Sequence, residues 1–150
     1  MDKIIWFDMD GTIADLYSVN GWLNKLLTED ASCYEEARPM LNLRILARKL
    51  NKLQKSGFQL GIISWCSKNS TKAFDNKVIN AKLRWLNMRL HSVKWDYINI
   101  VPYGTNKWET CGKTGVLFDD EEQNRTAWEN GKAYTPNRIF NILNELEKAS

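Results

Sequence analysis

Asp8 and Asp10 stand at the end of an apolar run, in IIWFDMDGTIAD at residues 4 to 15. A buried strand gains nothing from carboxylates at its tip unless they are used. Other polar residues stand in comparable places. Ser64 closes FQLGIIS at 58–64, Asp119 and Asp120 follow GVLF at 115–118, and Lys107 lies in the segment before that last run. A carboxylate can attack phosphorus as a nucleophile. A second carboxylic acid can protonate the leaving oxygen and later deprotonate water. Hard oxygen ligands suit Mg²⁺, which offsets the repulsion between a carboxylate and a phosphoryl group. A hydroxyl and an ammonium can hold the phosphoryl oxygens. Together these residue types match phosphoryl transfer through a covalent aspartyl-phosphate.

Such residues need elements that bring them to one place. Strands are expected at 3–8, 58–64, 96–101, 115–118 and, more weakly patterned, 132–135. Three of these are short continuous apolar runs, as for strands covered on both faces. Helix-period stretches lie between them at 19–28, 40–55, 77–90, 106–111, 121–130 and 136–148. Gly57 falls just past a helix end and Pro136 in a first turn, the usual asymmetry. This alternation predicts an α/β, three-layer Rossmann-like fold, a parallel sheet of about five strands with helices on both faces. Ligands of such sheets bind beyond the carboxyl ends of the strands. Asp8, Ser64 and the Asp119–Asp120 pair would stand there.

In order and spacing, DMDGT, IIS, an intervening Lys and VLFDD resemble the four motifs of the haloacid dehalogenase-like (HAD) phosphohydrolases. The resemblance runs from Ile4 to about Trp128. It implies Asp8 as nucleophile and metal ligand, and Asp10 as general acid and base with its backbone carbonyl on the metal. Gly11 and Thr12 would make the turn beside the phosphate, and Ser64 would bind the phosphoryl group. The family's last motif often reads apolar-apolar-Gly-Asp-x-x-x-Asp. Here LFDDEEQN puts Asp119 on the Gly, Asp120 on the metal-binding Asp and Asn124 on the final Asp. Asp120 is thus expected to bind Mg²⁺ directly, with Asp119 and Asn124 supporting it.

Two lysines compete for the phosphate. Lys107, in YGTNK, precedes the fourth strand as in many family members. Lys82, in NAKLRWL, sits within a stripe formed by Ile79, Leu83, Leu86 and Leu90. A helix starting near Asp75–Asn76 would hold Lys82 in its first two turns, beside the crevice. The phrase also resembles the Lys-x-x-Trp helix of 5′(3′)-deoxyribonucleotidase-like members. Lys82 is favoured for phosphate, with Lys107 as a partner of Asp119. Trp65, next to Ser64, is placed to stack on a base or sugar.

The chain has 150 residues, 43 % of them hydrophobic, enough for one domain over 1–150 with its own core. A net charge of +3 argues only weakly for an anionic partner. The odd count of three cysteines, with no CxxC pair, fits reduced thiols in a cytoplasm rather than a disulfide framework or a zinc knuckle. No run is long enough for a membrane span, and the N-terminal apolar run is too short for a secretory signal. The insertion at about 15–40 holds one short helix, GWLNKLLT, and an acidic loop, TEDASCYEE, so the cap is expected to be minimal. The substrate expected is a phosphorylated small molecule, nucleotides included, or a phosphorylated macromolecule, with an oligomer able to cover an open site. A phosphatase of nucleic-acid termini and a non-catalytic HAD-like binding module are the alternatives.

Overall fold

A computed structural model describes residues 3–150. The main sheet has five parallel strands in the order β5-β4-β1-β6-β7. They are β1 (Ile4–Phe7), β4 (Gln59–Trp65), β5 (Tyr97–Val101), β6 (Val116–Phe118) and β7 (Ala133–Tyr134). All five fall where the apolar runs predict strands. A minor antiparallel pair joins β2 (Ala14–Asp15) to β3 (Arg38–Pro39). The helices are α1 (Trp22–Leu27), α2 (Ser32–Glu36), α3 (Leu43–Lys55), α4 (Lys72–Arg89), α5 (Lys107–Thr110), α6 (Glu122–Thr126) and α7 (Ile139–Ala149). Among the described residues, no helix is long and apolar enough to cross a membrane.

Strand alternation sorts the core into two layers. Ile5, Phe7, Leu60, Ile62 and Phe118 pack with Leu46, Leu50 and Leu53 of α3 and with Ile142 and Leu143 of α7. Trp6, Ile63 and Leu117 face the other way, against Trp108, Cys111 and Trp128. Helix α3 shows how sequence produces this. Its Asn42 cap accepts a hydrogen bond from Ile45 N at 3.1 Å, worth about 1 kcal/mol. Spacings of four and three put Leu46, Leu50 and Leu53 on one buried stripe, each contributing about 1.5–3 kcal/mol by leaving water. The helix stops where Gly57 takes a positive φ of 101°.

Two expectations need correction. The acidic loop after α1 instead forms α2, which buries Cys33 and Tyr34 against Leu16, Cys66, Phe74 and Val78. Tertiary burial of those two side chains overrides the polar composition around them. Helix α4 starts a turn earlier than the Asp75–Asn76 pair suggests, since Thr71 accepts from Phe74 N at 3.1 Å. Its buried face is also rotated. Phe74, Val78, Ala81, Lys82, Trp85 and Leu86 are buried, while Leu83 is exposed and Ile79 only half-buried. The helix is covered from two directions, by the sheet and by α2. Trp85 Nε1 also donates to Ala37 O at 2.8 Å, tying α4 to the exit of the insertion.

Candidate active site

Strand register brings the polar residues together. Phe7 pairs with Ile62 of β4 and Phe118 of β6, so the next residues, Asp8 and Asp119, leave the sheet side by side. Ser64 lies two residues beyond Ile62, level with Met9. The turn after β1 is closed by Met9 O, which accepts from the backbone N–H of Thr12, Ile13 and Ala14 at 3.0 Å each. Gly11 has a φ of 78°, and a Cβ there would collide with the Asp120 carboxylate. Only glycine allows both the turn and that close approach.

Asp8 is buried and held on both oxygens. Lys107 Nζ donates to Oδ1 at 3.0 Å and Thr12 Oγ1 donates to Oδ2 at 2.9 Å. Lys107 also donates to Asp119 Oδ2 at 2.7 Å. Burial presses the Lys107 pKa down, but Asp8 and Asp119 more than offset this, so the ammonium persists. Asn106 positions Lys107 by capping α5, accepting from Glu109 N at 3.0 Å.

Asp119 is fully buried, with both oxygens in use. Asn124 Nδ2 reaches Oδ2 at 3.1 Å and Glu121 N reaches Oδ1 at 2.9 Å. Asp120 is different, because its carboxylate faces the crevice and its backbone N–H donates to Thr12 Oγ1 at 3.2 Å. Carboxylate oxygens of Asp8, Asp119 and Asp120 all lie within 4.8 Å of one another. Burial and the Asp8 charge push Asp119 up to about 6 and Asp120 up to about 8. Three acids against one ammonium leave surplus negative charge, an all-oxygen environment that suits a hard divalent cation. Asp8 and Asp120 present oxygens to the crevice and fit that ion. Asp119 is sealed behind them.

Lys82 is 1 % exposed and enters the same region from α4. Its Nζ donates to Asp10 Oδ2 at 2.8 Å, Ser64 Oγ at 2.6 Å and Trp65 O at 2.8 Å. These bonds use all three of its N–H groups. Both predicted lysines therefore reach the site, but only Lys107, with two partners, keeps a donor free for a ligand. Burial raises the Asp10 pKa, and Lys82 opposes that rise without cancelling it. Of the other predicted phosphate contacts, Thr12 has its hydroxyl committed to Asp8, and Ser64 is buried beside Lys82.

Above these groups is a crevice of about 400 Å³. Trp65 lines it, its indole fixed by Nε1 donating to Thr105 O at 2.8 Å and its ring 4.8 Å from that of Tyr103. Residues not singled out from the sequence complete the walls: Tyr17, Trp22, Leu23, Leu26 and Leu27 on the insertion, and Tyr103 opposite. Tyr103 follows β5, and its place at a strand's carboxyl end was the available signal. For α1, the signal was four apolar residues in WLNKLL, of which Leu23 and Leu27 are left exposed.

At the level of sequence, no family model and no curated protein matches the chain. Among solved structures, its fold is similar to the crystal structure of D,D-heptose 1,7-bisphosphate phosphatase from Burkholderia thailandensis. The TM-score is 0.53 at 15 % identity, covering 86 % of this chain and 74 % of that one. Shared topology at so low an identity establishes the fold: a parallel five-stranded α/β sheet of the kind found in that phosphatase.

Proposed function

We propose that this protein is a Mg²⁺-dependent phosphomonoester hydrolase of the HAD type, acting on a phosphorylated small molecule, nucleotides included. One observation carries the reading. Asp8 is rigidly oriented by Lys107 and Thr12 at the head of the crevice, with a second, separately held carboxyl group two residues away. The neighbour of known structure is named a phosphatase, which supports the same chemistry. Asp8 and Asp120, with the Asp10 backbone carbonyl, would hold the Mg²⁺ ion, which supplies positive charge against the incoming phosphoryl group.

An Asp8 oxygen attacks phosphorus, and the bond to the leaving oxygen breaks. Asp10, its carboxyl held by Lys82, gives its proton to that oxygen. Lys107 offers its free N–H to the phosphoryl oxygens, where negative charge accumulates. Asp10 then takes a proton from water, which attacks phosphorus of the aspartyl-phosphate. Phosphate leaves and Asp8 is regenerated. Thr12 keeps the Asp8 carboxylate in its attacking rotamer, and Asp119 keeps Lys107 charged and in place.

The test is turnover of p-nitrophenyl phosphate with and without Mg²⁺, for the native chain and for Asp8→Asn. Activity that needs Mg²⁺ and falls at least about a thousandfold in the variant is expected. Appreciable Mg²⁺-dependent turnover by folded Asp8→Asn would remove the aspartyl-phosphate from the mechanism.

A further inference from the structure

Helix α1 presents an anomaly. It carries Trp22, Leu23, Leu26 and Leu27; Trp22 and Leu26 are half-buried against the Tyr34–Phe74 core, and none is fully buried. Leu23 is 55 % exposed and Leu27 73 % exposed. A six-residue helix ordinarily survives by packing its apolar side onto a core. Here all four side chains line the crevice over the carboxylates. Across the opening stand Trp65 and Tyr103, which line the same space. Tyr17, in edge contact with Trp22 at 5.1 Å, fills the corner.

The rest of the insertion is well anchored. Tyr34 of α2 is buried with Phe74 and Val78 of α4, and Lys25 pairs with Glu36 at 2.8 Å. The apolar wall is therefore held in position rather than left over from a loose segment. At about 400 Å³ the crevice lies at the small end of organic-ligand sites. Besides Asp8, Asp10, Asp120 and Lys107, its polar lining is Ser67, Lys68, Asn69, Glu121 and Asn124, and Lys68 Nζ lies 6.0 Å above the Tyr103 ring.

We propose that this slot between α1 and the Trp65–Tyr103 pair is a leaving-group subsite that takes the planar aromatic ring of a small phosphomonoester. The inference rests on the phosphatase reading above and adds the chemistry of the substrate's other half. The aromatic rings supply flat faces for stacking, and the leucines supply apolar area that water leaves when the ring enters. A polyol or amino-alcohol chain would have to desolvate most of its hydroxyls against those same side chains, with few polar partners to replace water. A nucleobase and a simple aryl ring share the required chemistry.

The experiment compares thymidine 5′-monophosphate, 2-phenylethyl phosphate and glycerol 2-phosphate as substrates of the full chain with Mg²⁺. All three leave as alkoxides, so leaving-group activation is closely matched. For each aromatic substrate, kcat/KM is expected to exceed that for glycerol 2-phosphate by about tenfold or more. In the Leu23→Ser/Leu27→Ser double variant, and in Tyr103→Ala, that ratio should fall towards one. These side chains are exposed, so their loss removes little of the folded core. A thymidine ester far ahead of the phenylethyl ester assigns the slot to a nucleobase; equal values assign it to the ring alone. Either result supports the subsite. A ratio near one in the native chain, with all three esters turned over, overturns the subsite and leaves the phosphatase reading standing. A ratio that both variants leave untouched also overturns it. If no ester is turned over, the phosphatase reading fails. Equilibrium dialysis of the same esters against Asp8→Asn then decides the subsite by itself, and equal affinity for aromatic and polyol esters overturns it.

Discussion

Lys82 Nζ lies 2.8 Å from Asp10 Oδ2, a buried ammonium meeting a carboxyl group that the crevice still reaches. The lysine comes from the third turn of α4, because the segment after Trp65 runs on beyond the sheet before the helix begins at Lys72. It clasps three places at once: the β1 turn, Ser64 and the Trp65 carbonyl. The Tyr34 ring of the insertion lies 5.0 Å from the same ammonium.

Lys82 therefore acts on the proposed reaction through Asp10. Lys82→Met should slow glycerol 2-phosphate turnover about a hundredfold, since the acid is no longer aimed at the leaving oxygen. Turnover of p-nitrophenyl phosphate, whose leaving group hardly needs a proton, should fall much less. Asp10→Asn should give the same asymmetry, with a burst as the aspartyl-phosphate accumulates. Equal losses on both substrates would make the pair purely structural. Lys82→Met should also cost about 3 kcal/mol of stability, read from denaturant unfolding, because partners of the buried charge are stranded.

Asp119 and Asp120 are adjacent in sequence but should respond differently to truncation. Asp120→Ala should weaken Mg²⁺ binding, measured by titration calorimetry, by about tenfold or more while leaving the fold stable. Asp119→Ala should lower the melting temperature more, because Lys107, Asn124 and Glu121 N all lose a buried acceptor. A stronger metal defect in Asp119→Ala than in Asp120→Ala would reverse the assignment.

Stability of the metal-free protein should fall as pH rises. Asp119 and Asp120 are raised from 3.8 to about 6 and about 8 in the fold. Between about pH 4 and pH 8 the folded state thus binds more protons than the unfolded one, and each unit of rising pH favours unfolding. Lys107 is raised above 10.5, so it keeps its charge throughout this window and adds no slope. Thermal melts at pH 5.5, 7.0 and 8.5 should give successively lower midpoints without metal, and Mg²⁺ should restore most at the highest pH. A midpoint that climbs over this range would show that the acids are not crowded as described.

Gly11→Ala tests the close approach of the β1 turn to Asp120. The substitution forces a side chain into a positive φ and onto a carboxylate. It should cost at least about 1 kcal/mol in stability and weaken Mg²⁺ binding, while a Gly131→Ala control, with open space around it, should leave metal affinity intact. Undiminished metal binding by Gly11→Ala would mean the turn has room to spare.

The sheet and the place of its polar tips were legible in the sequence, for local reasons. Continuous apolar runs such as IIWF and GIIS mark strands covered on both faces, and an acid that directly follows one must sit at the sheet's carboxyl edge. That argument needs no knowledge of what packs where. It located Asp8, Ser64 and Asp119–Asp120; Lys82 was singled out by its place in a helical apolar stripe, and Lys107 by its place before the fourth strand, as in the family it resembles. Tertiary structure alone decided how the two lysines divide. Lys82 is saturated because the β1 turn and the end of β4 close around it, and Lys107, at the first position of α5 beside the crevice, keeps a free donor. The rotated face of α4 and the helix within TEDASCYEE were equally hidden, since each follows from long-range burial by the other: Tyr34 on Phe74 and Val78. The apolar slot over the acids was out of reach for the same reason. Spacing can show that WLNKLL has an apolar side, but only the path of the chain from β2 back to β3 turns that side toward Asp8.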